Sequence, residues 1–309
     1  MIGAAVIALT LAASGAGWAS PPQDPPAPSG DAPAVQLEEV VVEGRTLREA
    51  VDQFVEEIVA PPVGRGPARW NRRVCVGVVN VRGQAAQALI DQVSSVALQA
   101  GLDIGEPGCR PNILVLATDD GQELAQALVA REPLLFRPQY SGAARSSEAL
   151  ERFQESAAPV RWWHVSMPVV RDTGLPGVRM PGETPPWIPG EGRLRSPLRN
   201  DLMRAFVIVD VDAAAGIDTR RLGDYLGMVA LAQIDPEADT SSYDTVLNLF
   251  DPARPQPGLT DWDLSYLTAL YGAELHQRET NQQTGEVSSS MFRDRQDAQQ
   301  DGEPPAAEE

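Results

Sequence analysis

Four apolar, largely β-branched runs separated by helical periodicity constrain this chain more than any other feature. Val74 to Val81, Ile113 to Ala117, Val160 to Val170 and Ala205 to Val211 each read as strands. Gln84 to Ala100 reads as an amphipathic helix, with Ala86, Leu89, Ile90, Val93, Ala97 and Ala100 inward and Gly101 as its stop. Thr46, with Glu49 three residues on, forms a capping box for a helix whose Leu47, Val51, Phe54, Val55 and Ile58 share a face, and Pro61-Pro62 ends it. Asp119 or Asp120 caps a helix to Arg131, and Ser146 or Ser147 caps one to Glu155. Further helices are predicted from Thr219 to Gln233 and, capped by Thr260, from Asp261 to Tyr271. The run Ala205 to Val211 is apolar almost throughout, the mark of a central strand. The pattern predicts a single α+β domain over residues 35–276, with a mixed, mostly parallel sheet flanked by helices.

The ends read differently. Residues 1–19 are apolar and uncharged, with an Ile2–Ala12 core too short to span a bilayer and a small-x-small pattern at Gly17-Trp18-Ala19. That is a secretory leader, although it lacks a basic start. Residues 20–34 are Pro-, Ala- and Ser-rich and are expected to be an extended linker. Val35 to Gly44 reads as a short strand, and Glu39-Val40-Val41-Val42-Glu43-Gly44-Arg45 also resembles the segment near the mature N-terminus of outer-membrane TonB-dependent receptors. Residues 277–309 are polar, with three Arg against eight acids from Arg278 onward, and are expected to form a disordered acidic tail. The leader places the protein in the periplasm or outside the cell, with no transmembrane helix once it is removed.

Composition excludes several chemistries. All 25 basic residues are Arg and none is Lys, which removes Schiff-base chemistry and the phosphate-binding P-loop. A net charge of −18 argues against nucleic acid or anionic lipid as a nonspecific partner. Cys75 and Cys109 are the only cysteines, and in an oxidising compartment they are expected to pair. Arg65 to Arg73 holds four Arg and Trp70, and reads either as an anion site or as a solvated loop. Asp235 to Asp239 carries three acids without EF-hand spacing, so a turn is expected there rather than a calcium site. Of Trp162 and Trp163 one should face the core and one outward, with His164 beside them. Ser166 and Ser196 lack the Gly-x-Ser-x-Gly context of a serine hydrolase. Asp172 to Ser196 is Gly- and Pro-rich and reads as a long excursion.

The last third carries Arg220-Arg221-Leu222-Gly223-Asp224-Tyr225-Leu226-Gly227-Met228 on a helix, then Tyr243-Asp244-Thr245-Val246-Leu247-Asn248, then Gly258-Leu259-Thr260-Asp261-Trp262-Asp263 and a helix ending Leu270-Tyr271-Gly272. Over residues 200–276 this resembles the end of a degenerate zincin-type metallopeptidase domain, whose active-site helix reads H-E-x-G-H-x-x-G, as in other exported bacterial proteins. On that resemblance Gly223 and Gly227 match the motif's small residues. Arg220, Arg221 and Asp224 stand where the first His, the catalytic Glu and the second His would be. Guanidiniums have no lone pair for zinc, so the resemblance implies no metal, no cofactor and no catalytic residue. It implies instead an Arg220–Asp224 salt bridge and a metal-free cleft involving Gly223, Tyr225, Gly227 and Tyr243. The function expected is noncatalytic binding of an envelope protein, a peptide or a cell-wall component. The alternatives are a zinc-independent peptidase or other hydrolase, and a structural partner in an outer-membrane complex.

Overall fold

The computed structural model describes residues 41–42, 45–188, 190, 195–253 and 258–302. The leader at 1–19, the linker at 20–34, residues 35–40 and 43–44 of the expected strand and residues 303–309 of the expected tail lie outside the described residues. A hairpin of β1 (Val41–Val42) and β2 (Arg45–Thr46) leads into α1 (Leu47–Ile58). The Thr46 hydroxyl accepts from Glu49 N, and the Glu49 carboxylate takes Thr46 N in return, which is the reciprocal cap predicted. The main sheet consists of β3 (Val76–Val79), β4 (Ile113–Thr118), β5 (Val160–Val170) and β6 (Leu198–Asp210), in the order β3-β4-β6-β5. The pairs β3–β4 and β4–β6 are parallel and β5–β6 is antiparallel, so the sheet is mixed and mostly parallel, with β6 inside it. A parallel crossover needs a connection of a dozen or more residues. Between β3 and β4 that connection is α2 (Gly83–Gln99).

Side chains alternate along each strand, and both faces of the sheet are covered. Ala205, Val207 and Val209 of β6 join the larger core, with α1, α2, α6 (Thr219–Leu231), α7 (Asp261–Gly272) and α8 (Thr280–Gly302). Phe206 and Ile208 join a smaller core with α3 (Gly121–Arg131), α4 (Pro133–Phe136) and α5 (Ser147–Glu155). Asp120 caps α3 and Ser146 caps α5, each by accepting from the backbone N–H three residues on. Trp162 and Trp163 point to opposite faces, but neither faces water. Trp162 Nε1 donates to Ile234 O at 2.9 Å in the larger core, and Trp163 Nε1 donates to Phe136 O at 2.8 Å in the smaller one. The outward Trp expected from alternation is buried because helices cover both faces.

The expectation of a disordered tail from 277 fails over Thr280–Gly302, which is helix α8. Val287 and Met291 are fully buried against α1 and α7, and Gln283 and Ser288 are buried beside them. Arg48 of α1 lies over the Phe292 ring at 5.4 Å, and Arg295 lies over Trp262 at 5.6 Å. Two apolar side chains four residues apart make a narrow stripe. Neighbouring helices, not helix propensity, hold such a segment in place. No helix among the described residues is long and apolar enough to cross a membrane.

Two buried ionisable groups pull the acid response in opposite directions. Burial pushes Asp263 up to about 6, outweighing the hydrogen bonds it accepts from Thr245 Oγ1, Val246 N and Thr260. Burial holds His164 down at about 4. The Asp263 contribution to stability is full below its unfolded value and is lost as pH rises through about 6. The His164 contribution is full above its unfolded value and is lost as pH falls through about 4. The two oppose each other on acidification. An Asp263→Asn variant should therefore lose more stability than the parent between neutral pH and pH 4, by about 1–3 kcal/mol, read from urea midpoints at each pH. Parallel midpoint curves would refute the Asp263 assignment.

Truncation after Gln277 tests the docked helix. Losing Val287 and Met291 from the core should cost about 3–6 kcal/mol. The melting temperature should drop by roughly 10 °C or more, and an unchanged value would show that α8 contributes nothing.

Candidate functional site

The residues singled out on α6 fall into two groups. Asp218 caps the helix by accepting from Arg220 N and Arg221 N, and its carboxylate pairs with Arg221 at 3.1 Å. Arg220 is exposed and makes no ion pair among the described residues. The expected Arg220–Asp224 bridge is therefore replaced. Asp224 is buried, and its Oδ1 accepts from Gln92 Nε2 of α2 at 2.5 Å, so the neighbouring helix supplies the donor.

Gly223 and Gly227 do not open a cleft. A Cβ on Gly223 would come within 2.6 Å of Gln92 Cβ, and one on Gly227 within 2.8 Å of Val96 Cβ. Glycines four apart on α6 thus face side chains four apart on α2, and the absence of side chains lets the helices close together. Gly258, at φ 148°, lies against the Asp224 carboxylate, where a Cβ would overlap it. Tyr225 is buried, edge-on to Trp162 and Phe250, and burial pushes its phenol up. Tyr243 packs on Phe54 at 4.9 Å and Trp262 at 5.9 Å, with Arg45 over its ring. The four residues expected to line a cleft are helix seam and core.

The histidines are also apart. His164 is buried on β5, and His276 lies beyond α7 with Nδ1 3.4 Å from the Glu274 carboxylate. The acids of the 235–239 turn are engaged locally: Asp235 with Arg145 at 3.2 Å, Glu237 with Arg152 at 2.8 Å, and Asp239 with Ser241 Oγ at 2.6 Å.

Arg65 to Arg73 is neither wholly an anion site nor wholly a solvated loop. Trp70 anchors it, buried with Nε1 donating to Ala230 O at 3.1 Å. Arg69 Nη1 donates to Leu270 O, Tyr271 O and Ala273 O, and so caps the carbonyl end of α7. Beyond that anchor Arg72 and Arg73 are exposed and reach a cleft of about 720 Å³.

That cleft is the strongest candidate site. Its walls come from Arg72 to Cys75, from the 105–112 loop, from α4 and the segment to Tyr140, and from Val165, Met203 and Arg204 of the sheet. The Cys75–Cys109 disulfide, with Cα atoms 6.1 Å apart, pins the 105–112 loop to the strand entry. Closing a loop of that size stabilises by about 3–4 kcal/mol on the chain-entropy model. Gly105 packs directly on the disulfide, with a Cβ there only 2.6 Å from Cys109 Sγ. The charge balance is one-sided. Arg72, Arg73, Arg110 and Arg204 face a single carboxylate, Glu106, and none of the four makes an ion pair among the described residues. In a chain of net charge −18 this is a local reversal of sign. Such guanidiniums suit carboxylate or phosphate, which they bind through forked N–H pairs.

Of this site the sequence displayed Arg72, Arg73, Cys75 and Cys109. Arg110, Arg204, Leu134 and Leu135 carried no signal, because they meet only through the sheet register and the disulfide. No protein-family model, curated protein or solved structure matches this chain.

The seam makes a prediction of its own. Gly227→Ala must push Val96 aside and should destabilise by about 1–3 kcal/mol. Gly285→Ala, on α8 with open space around it, should stabilise by up to about 1 kcal/mol. Equal melting shifts for the two would show that helix propensity alone is at work.

Proposed function

We propose that this chain is an exported, noncatalytic binding protein of the cell envelope, and that it holds an anionic group of its ligand in the Arg72–Arg73–Arg110–Arg204 cleft. One observation carries the reading: four guanidiniums that make no ion pair among the described residues line one cleft in a strongly acidic chain. Unpaired arginines gathered at one place repel one another. Glu106 is the single carboxylate among the lining residues to offset that cost, and a bound anion would offset more of it.

The noncatalytic part rests on the chemistry of the lining. Among the described residues that line the cleft there is no histidine, the one carboxylate is Glu106 on the exposed loop, and the two cysteines are joined as a disulfide. Its phenol, Tyr140, donates to Ser166 O at 3.2 Å, and burial pushes its pKa up, away from use as a base. Export is supported by the disulfide and by the leader-like residues 1–19.

The test is calorimetric titration with inorganic phosphate and with acetate. The parent should show saturable binding that weakens with added salt. Arg73→Glu combined with Arg110→Glu, both exposed and safe for folding, should weaken it by about tenfold or more. Absence of saturable binding in the parent would refute the proposal.

A further inference from the structure

The chemistry of the same cleft narrows its ligand, on the premise that it binds an anion. Its neutral side-chain hydrogen-bonding groups are already engaged within the protein. Asn112 Oδ1 accepts from Cys75 N at 2.8 Å, while its Nδ2 donates to Arg73 O at 2.9 Å. Tyr140 donates to Ser166 O. Three backbone amides along the loop are paired as well: Gly105 N with Val74 O, Cys109 N with Glu106 O, and Asn112 N with Cys75 O.

What the cleft has left to offer is charge and hydrocarbon. Leu134 is 57% exposed and Leu135 37% exposed on the α4 lip, two large apolar side chains facing solvent beside a basic wall. Val165, Met203 and Pro138 continue the apolar surface inward, and Arg72 lies against the Met203 sulfur at 3.6 Å.

From this we infer that the cleft takes a small anionic amphiphile: one carboxylate or phosphate head on a hydrocarbon or aryl body. A peptide is the poorer fit. The guanidiniums can donate to its carbonyls, but its N–H groups would meet few acceptors among the lining side chains, Glu106 being the one carboxylate, at about 1–3 kcal/mol for each buried unpaired group. An alkyl chain needs no partners, and each buried methylene favours binding. The volume suits a ligand of drug-like size rather than a macromolecule.

The experiment compares decanoate, decyl phosphate, acetate, inorganic phosphate, 1-decanol, a capped acidic tetrapeptide and phosphatidylglycerol vesicles on the full mature chain. Decanoate and decyl phosphate should bind at least about tenfold tighter than acetate and inorganic phosphate, with decanol failing to compete. Arg110→Glu should weaken both head groups. Leu134→Ser, which removes apolar surface without adding charge, should weaken decanoate by a larger factor than inorganic phosphate. Both residues are exposed, so the variants should keep the parent melting temperature.

If the chain adds nothing to the affinity, the amphiphile is wrong and the anion site stands. If decanoate binds but Arg110→Glu is without effect, the anion site itself is wrong and so is the inference resting on it. Tighter binding of the tetrapeptide, or binding to vesicles without binding to free decanoate, would replace the amphiphile with a peptide or a membrane surface.

Discussion

The close approach of α6 to α2 sets the positions of most of this fold. Gly223 against Gln92 and Gly227 against Val96 leave no room for a side chain between the two helices. Both helices then lie on one face of the sheet, where Leu226, Val229 and Ala230 of α6 and Val93, Val96 and Ala97 of α2 are buried in one core. The arrangement draws Asp224 into the interior, where an apolar seam would exclude it. The Gln92 amide makes that burial tolerable by giving the carboxylate a donor. The seam fixes α2, and α2 is the crossover that sets β3 beside β4. The cleft opens at the entry to those two strands, so its geometry depends on glycines that do not touch it.

Local signals were strong enough to read most of the element order. Capping residues placed the starts of α1, α3, α5 and α7, because a hydroxyl or carboxylate at the cap is a short-range, residue-specific interaction. The apolar run at 205–211 foretold an interior strand because both of its faces are covered. It did not foretell the length of β6, which starts at Leu198. Residues Leu198–Arg204 are more polar, and antiparallel pairing with β5 holds them extended. Helix α8 escaped notice because its buried stripe is Gln283, Val287 and Met291, too sparse for a period to be seen.

The α6 residues are an instructive failure. A Gly-x-x-x-Gly spacing on a helix is compatible with a shaped metal site and with a helix crossing, and sequence spacing alone does not separate them. The separation comes from what faces the glycines, and that is determined by a helix more than a hundred residues earlier in the chain. Two arginines of the cleft were hidden for the same reason. Arg110 is carried by a loop that the disulfide holds, and Arg204 by a strand whose register with Val165 places it beside Tyr140.

With no lysine in the chain, arginine serves every cationic purpose, and what each arginine does is decided by its neighbours. Arg69 is drawn into three carbonyls at the end of α7. Arg199 forks onto Asp201. Arg161 is buried beneath Gly121, where Nε and Nη1 find no partner and the nearby charges of Asp210 and Asp120 favour its cation while burial opposes it. Arg69 and Arg199 are held by protein groups close at hand, and Arg161 has acidic neighbours. Arg72, Arg73, Arg110 and Arg204 make no ion pair among the described residues, and three properties distinguish them: they are accessible, they are near one another, and apolar side chains stand beside them. A surface arginine facing water alone would be solvated at little cost. Four gathered around a lip formed by Leu134 and Leu135 bring charge and hydrocarbon into one concave space, and an anion with an apolar body satisfies both at once.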